Sequence, residues 1–327
     1  MRVLVTGGAG FLGSHLVDLL RAEGNDVVAL DDLSTGTVEN LAAHSGRPGF
    51  ALLRRDARDR EAVEEAVRRA DAVFHLAGAV GVKTVAEDPA GTWSRNVEGT
   101  ASVLAACARN GTRCLVASTS EVYGPAATGL LREDAPATLS PAARRDVYAV
   151  SKMAGESLAL ALHRSSLLPV TVARLFNVVG PRQSARYGMV LPRFAAAAVR
   201  GEPLTVHGDG RQTRSFLHVL DAVDALRSLV ATARSEGLVV NVGSGEEVQI
   251  LGLARAVAAE AGTGAPIRHV PFADVYGEDF VDPPRRRPDT SRLSDLTGFS
   301  PRRRLADAVA DAVAFAKSRR GDAVPRP

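Results

Sequence analysis

Val3-Leu4-Val5-Thr6 runs straight into Gly7-Gly8-Ala9-Gly10-Phe11-Leu12-Gly13, and a helical pattern follows from Ser14 to Arg21. A short apolar strand, a glycine turn and a helix, in that order, leave few folds open. The glycines at 7, 10 and 13 have the spacing G-x-x-G-x-x-G, not G-x-G-x-x-G. The physical needs are shared: a tight turn, a backbone that approaches a pyrophosphate, and a helix packed close to its strand. The helix N-terminus then offers unpaired N–H groups to phosphate oxygens. Alone, the motif also reads as an ordinary glycine-rich turn. A second apolar run, Val27-Val28-Ala29-Leu30, ends at Asp31. This acid stands about 20 residues past the last glycine, where a carboxylate binds adenosine ribose hydroxyls. It would repel a 2′-phosphate, so the pattern predicts NAD and not NADP. The adjacent Asp32 reads mainly as a turn residue.

Further apolar strand candidates recur at Ala51–Leu53, Ala72–Leu76, Cys114–Ala117 and Val170–Leu175, with helical patterns such as Thr92–Arg109 and Val147–Arg164 between most of them. Such alternation predicts an α/β fold with a doubly wound, parallel Rossmann-type sheet. Its functional residues belong at the carboxyl ends of the strands. His75-Leu76-Ala77-Gly78 and Ser118-Thr119-Ser120-Glu121 both fall there. Residues 1–176, joined by about 217–243, read as the nucleotide-binding domain; 177–327 read as a smaller, discontinuous α/β substrate domain. Pro181 to Pro192 reads as a loop, and Arg319 to Pro327 as a frayed tail.

Tyr148 and Lys152 lie four apart on a predicted helix and so share a face. An ammonium beside a phenol favours the phenolate and lowers its pKa. A phenol tuned in this way can take a proton from an alcohol while a cofactor takes the hydride. Lysine occurs only at 83, 152 and 317 in the 327 residues, which makes the placement of Lys152 more pointed.

Formal net charge is +3 with 24% charged residues, so no strong nucleic-acid or membrane field is expected. The first apolar stretch is broken by glycines and carries Asp18, unlike a signal peptide or a membrane span. A cytoplasmic location is therefore expected. Cys107 and Cys114 lack metal-ligand spacing and read as buried thiols. No metal is expected.

These motifs, with Asn96-Val97-Glu98-Gly99-Thr100, Arg174-Leu175-Phe176-Asn177-Val178-Val179-Gly180-Pro181-Arg182 and Gly208-Asp209-Gly210-Arg211-Gln212-Thr213-Arg214, span almost the whole chain. Together they resemble the extended short-chain dehydrogenase/reductases of the NAD-dependent nucleotide-sugar epimerase/dehydratase type. Thr119-Ser120-Glu121-Val122-Tyr123-Gly124 and Arg145 are similar to UDP-glucuronate decarboxylases and also to GDP-mannose dehydratases. Arg286-Arg287-Pro288-Asp289 looks like the decarboxylase version, and Asp31 argues against the NADP-using dehydratases. The resemblance implies NAD as a transient oxidant and a UDP-sugar as substrate. It implies decarboxylation of UDP-glucuronate through a 4-keto intermediate, giving UDP-xylose or UDP-4-keto-pentose. A 4-epimerase or 4,6-dehydratase is the alternative on the same scaffold. A non-catalytic NAD-sensing module fits less well, since Tyr148 and Lys152 are both intact.

The resemblance also implies residue roles. Thr119, Glu121, Tyr148 and Lys152 would carry catalysis. Gly7, Gly10, Phe11, Leu12, Gly13, Asp31, Asp32, Asp56, Ala57, Leu76, Ala77, Gly78, Asn96, Ser118, Tyr148 and Lys152 would hold NAD. Ser120, Arg145, Asn177, Arg182, Val206, Arg214 and Arg286 would meet the substrate. Taken singly, Ser120 reads equally as a turn cap, and Arg182, Arg214 and Arg286 read equally as surface charge. The two long helices carry apolar positions beyond what one sheet face needs, so a homodimer is expected. In relatives these helices form a four-helix interface.

Overall fold

The computed structural model describes residues 1–127, 129–140, 142–143, 146–277 and 282–319, with the backbone alone at 82 and 83. The first half of the chain alternates strand and helix: β1 (Arg2–Thr6), α1 (Phe11–Ala22), β2 (Asp26–Leu30), β3 (Phe50–Leu53), α2 (Arg60–Arg68), β4 (Ala72–His75), α3 (Val82–Glu87), α4 (Pro89–Asn110), β5 (Arg113–Thr119), β6 (Leu130–Leu131), α5 (Val147–Ser166) and β7 (Val170–Leu175). The remainder comprises β8 (Val178–Val179), α6 (Val190–Arg200), β9 (Leu204–His207), β10 (Thr213–Ser215), β11 (Leu217–His218), α7 (Val219–Ala231), β12 (Val239–Val242), β13 (Glu247–Gln249), α8 (Ile250–Ala261), β14 (Ile267–Val270), α9 (Phe272–Tyr276), β15 (Arg285–Pro288), α10 (Ser291–Thr297) and α11 (Leu305–Ser318).

Seven strands form one parallel sheet in the order β12-β7-β5-β4-β1-β2-β3. Its central strands are buried on both faces. Val3 and Val5 pack with α1 and α7 in one core, while Leu4 packs with α2, α4 and α5 in another. This is why the strands read as unbroken apolar runs and not as alternating ones. The order reverses between β1 and β4, so their carboxyl ends part and open a crevice. Beyond the sheet, α6, α8 and α11 pack with β9 around a separate core. Beside it runs a small sheet ordered β13-β10-β15-β6.

The structure adjusts several expected boundaries. β5 extends past Ala117 because Ser118 and Thr119 continue the ladder opposite Arg174 and Leu175. α4 starts at Pro89, not Thr92, because the Asp88 side chain caps it by accepting from Gly91 N at 2.9 Å, with proline in the first helical position. The stretch expected as a loop from Pro181 to Pro192 contains a single turn of 3₁₀ helix and the start of α6. The segment from Leu217 to Val242 returns to the large sheet, with α7 in the same core as α1. Both cysteines are free and buried. Among the described residues no helix is long and apolar enough to cross a membrane.

His75 ends β4 between two threonines, with Thr6 Oγ1 at 2.8 Å from Nδ1 and Thr100 Oγ1 at 3.0 Å from Nε2. Burial, with Lys152 nearby, lowers its pKa from 6.5 to about 3. The unfolded chain therefore holds the extra proton between those values, and stability falls as pH drops through that window. One such proton sets a slope of at most about 1.4 kcal/mol per pH unit. His75→Gln can still bond both threonines but does not titrate. Urea unfolding between pH 6.5 and 4 should give a shallower slope for this variant; a slope equal to wild type would assign the dependence to other groups.

Candidate active site

A cavity of about 1250 Å³ opens at the carboxyl ends of the strands. Its floor is the turn after β1. Gly7 has φ 70°, and a Cβ there would stand 2.8 Å from Ala77 N. A Cβ on Gly13 would overlap the carbonyl oxygen of Gly7. The turn and the loop after β4 thus meet backbone to backbone. Gly10 precedes α1 without a side-chain cap, and Phe11, Leu12 and Gly13 of the first helical turn line the cavity. Asp31 Oδ2 accepts from Ala9 N at 2.9 Å and Oδ1 from Leu33 N at 2.8 Å. Burial nonetheless raises its pKa, against the pull of those N–H donors. Asp32 ties down Ser34 N at 2.9 Å, in keeping with a turn role. Arg58 holds Asp56 at 2.5 Å, and this hydrogen bond lowers the Asp56 pKa. A side-chain-free turn, an uncapped helix and a carboxylate at the next strand end fit a dinucleotide.

Opposite this floor, Tyr148 in the first turn of α5 and Lys152 one turn on both line the cavity, with Ser118, Thr119, Ser120 and Glu121 from the end of β5. Tyr148 shares a hydrogen bond with Thr119. The expected lowering of the phenol pKa is not met in the chain by itself. Burial of the phenol outweighs the Thr119 bond, and the Glu121 charge adds to the rise. Lys152 is buried as well, and this lowers its pKa to about 8 against an opposing pull from Glu156. Arg286 Nη1, itself buried, donates to Glu121 Oε1 at 2.5 Å.

Gly7, Gly10, Phe11, Leu12, Gly13, Asp31, Asp32, Asp56, Ala57, Leu76, Ala77, Gly78 and Asn177 also line the cavity. Asn177 adopts φ 31° and donates from Nδ2 to Ser215 O at 2.9 Å. Five of the expected residues do not line it. Asn96 braces the loop after β4, accepting from Ala79 N at 2.8 Å and donating to Ser151 Oγ at 3.0 Å. Arg182 turns to Asp18 of α1 at 2.8 Å. The Val206 side chain is buried in the separate core. Arg214 pairs with Asp282 at 2.7 Å beside Arg286, its partner in the β10–β15 register. Arg286 reaches the cavity through Glu121. Arg145 lies outside the described residues. Sequence reasoning missed Glu156 and Arg174, which lie behind Lys152 and Ser118. The signal for Glu156 is its place four residues after Lys152 on the same helix face.

Residues 3–243 match the family described as "NAD dependent epimerase/dehydratase family". UDP-glucuronic acid decarboxylase 4 of Arabidopsis thaliana is 38% identical over 92% of this chain, which spans 65% of that relative's length. A UDP-N-acetyl-alpha-D-glucosaminuronate decarboxylase of Bacillus cytotoxicus is 36% identical over 92% of both chains. A crystal structure of UDP-glucuronic acid 4-epimerase from Bacillus cereus, in complex with UDP-glucuronic acid and NAD, superposes with TM-score 0.87 at 29% identity, covering 97% of this chain and 99% of that one.

Asp31→Ala should raise the Kd for NAD by roughly 10- to 100-fold, the worth of a hydrogen bond to a charged group, and narrow the gap to NADP. Calorimetry with both dinucleotides checks this; a wild-type protein that binds NADP as tightly as NAD would overturn it.

Proposed function

The chain belongs to the NAD-dependent epimerase/dehydratase family, and from that premise we propose that it oxidises UDP-glucuronate at C4 and releases the sugar carboxylate as CO2. The observation that carries this reading is the Arg286–Glu121 pair at the edge of the Tyr148–Thr119 site. A guanidinium there, with donors left over after the Glu121 bond, suits a sugar carboxylate better than a neutral hydroxymethyl group. The Arabidopsis thaliana relative, a UDP-glucuronic acid decarboxylase, supports the same substrate, and the Bacillus cytotoxicus relative, which acts on a different UDP-uronate, supports the decarboxylation.

Bound NAD supplies the hydride acceptor, and later the hydride donor, at C4. Tyr148 takes the proton from the C4 hydroxyl, and Thr119 hydrogen-bonds the C4 oxygen. Lys152, as an ammonium, offsets the phenolate charge. Arg286 orients the sugar carboxylate so that the C5–C6 bond aligns with the new C4 carbonyl, which is a positioning task. That bond breaks, CO2 leaves, and its electron pair moves into a C4 enolate. Glu121 manages the proton that then arrives at C5. Product is UDP-4-keto-pentose, or UDP-xylose once the hydride returns.

NMR of the reaction with UDP-glucuronate tests the proposal: CO2 and a pentose nucleotide should form. Tyr148→Phe should lose at least ~100-fold in turnover, the low end of a general-base contribution. Interconversion of UDP-glucuronate and UDP-galacturonate without CO2 would establish the 4-epimerase instead.

The same reading includes a homodimer built on α4 and α5. These helices pack side by side, and Trp93 of α4 stands 42% exposed beside them. Light scattering at micromolar concentration should give twice the 34.3 kDa chain mass; a monomer mass would count against it.

A further inference from the structure

We propose that Glu156 is a positioning residue of this site, acting through Lys152 by its charge and through Ser118 by its hydrogen bond, without itself touching substrate or cofactor. The inference rests on the reading of Tyr148 and Lys152 as the proton-handling pair. Glu156 follows Lys152 by one turn of α5, is 4% exposed and does not line the cavity. Ser118 and Arg174 face one another in the β5–β7 ladder. Glu156 receives from both: Ser118 Oγ donates to Oε1 at 2.5 Å, and Arg174 Nη2 to Oε2 at 2.7 Å. One carboxylate therefore bolts α5 to two strands at the same rung. The next residue along β5 is Thr119, which bonds Tyr148. The spacing between base and hydrogen-bonding threonine is thus set by Glu156 from behind. Arg174 is itself held, lying 4.8 Å over the Tyr123 ring and donating to Glu133 O at 3.2 Å.

The charge of Glu156 acts along the same helix, one turn from Lys152. Lys152 Nζ lies where a Cβ on Gly78 would be 3.6 Å away, beside uncharged Asn96 of α4. From β4 it meets His75, which burial keeps neutral. Glu121 acts on Tyr148, and Arg174 of β7 is bound to the far side of Glu156. Burial lowers the Lys152 pKa to about 8, and among the described residues the Glu156 charge pulls it upward. Without that carboxylate the ammonium should be lost at lower pH.

The sequence has lysine only at 83, 152 and 317, so selective ¹³Cε labelling gives three NMR signals. Lys152→Met assigns the one of interest. Its titration midpoint should fall by about 1 unit in Glu156→Gln, the low end of the shift from an adjacent opposite charge, and return toward wild type in Glu156→Asp. A folded Glu156→Gln protein with an unchanged midpoint overturns the proposal. If the lone buried Arg174 charge prevents folding, Glu156→Gln/Arg174→Gln removes both charges; its midpoint should still fall, by less, and an unchanged value again overturns it. This titration needs no sugar, so it stands even if UDP-glucuronate is not turned over. With an active substrate, the basic limb of the kcat profile should move to lower pH in Glu156→Gln while KM holds; a basic limb that stays in place overturns it too.

Discussion

Where β1 and β4 end, two stretches of backbone touch, and the crevice depends on no side chain standing between them. Gly7 lies against Ala77, and Gly13 against Gly7. Any Cβ at these points would push α1 from its strand and close the space that its first turn lines. The constraint reaches outward. A parallel sheet needs both faces covered, so the helices after β1 and β4 must lie on opposite faces, and the reversal of strand order between those two strands follows. The site lies at that reversal because only there do neighbouring loops part.

Three ion pairs stand around the crevice among the described residues: Glu156 with Arg174, Glu121 with Arg286, and Asp282 with Arg214. Such pairs add little net stability, yet removing one partner costs roughly 3–5 kcal/mol because the other stays buried and alone. Their effect is to fix geometry. Each joins segments distant in the chain, and Arg286 and Glu121 are 165 residues apart. Burial also governs the two groups read as the proton machinery, pushing the phenol of Tyr148 up and the ammonium of Lys152 down. Both are drawn toward their neutral forms, which gives a carboxylate next to Lys152 a large influence.

Much of this was legible in the sequence where the cause is local. The glycine turn, the apolar strands and the one-turn spacing of Tyr148 and Lys152 each follow from steric or periodic rules acting over a few residues. Strand ends were less legible, since Ser118 and Thr119 join β5 only because β7 lies beside them. The phenol pKa was misjudged for a related reason: spacing reveals the neighbouring lysine but not the depth of burial. Arg182 and Asn96 are drawn to Asp18 and Ala79, partners with no local signature. The pairing of Arg174 with Glu156 needs the helix folded back on the sheet, and Arg286 reaches Glu121 only through the small sheet.

That small sheet has a consequence for the order in which a growing chain acquires its parts. β15 enters between β10 and β6, parallel to both, and so its place is prepared long before it is made. Domains tend to form from the N-terminus as synthesis proceeds. A nascent chain that has emerged through β12 holds every strand of the large sheet and the whole glycine floor. It lacks the guanidinium of Arg286. A ribosome-bound intermediate would thus hold the whole glycine floor before the Arg286–Glu121 pair could form, and loading of a dinucleotide could precede completion of the small sheet.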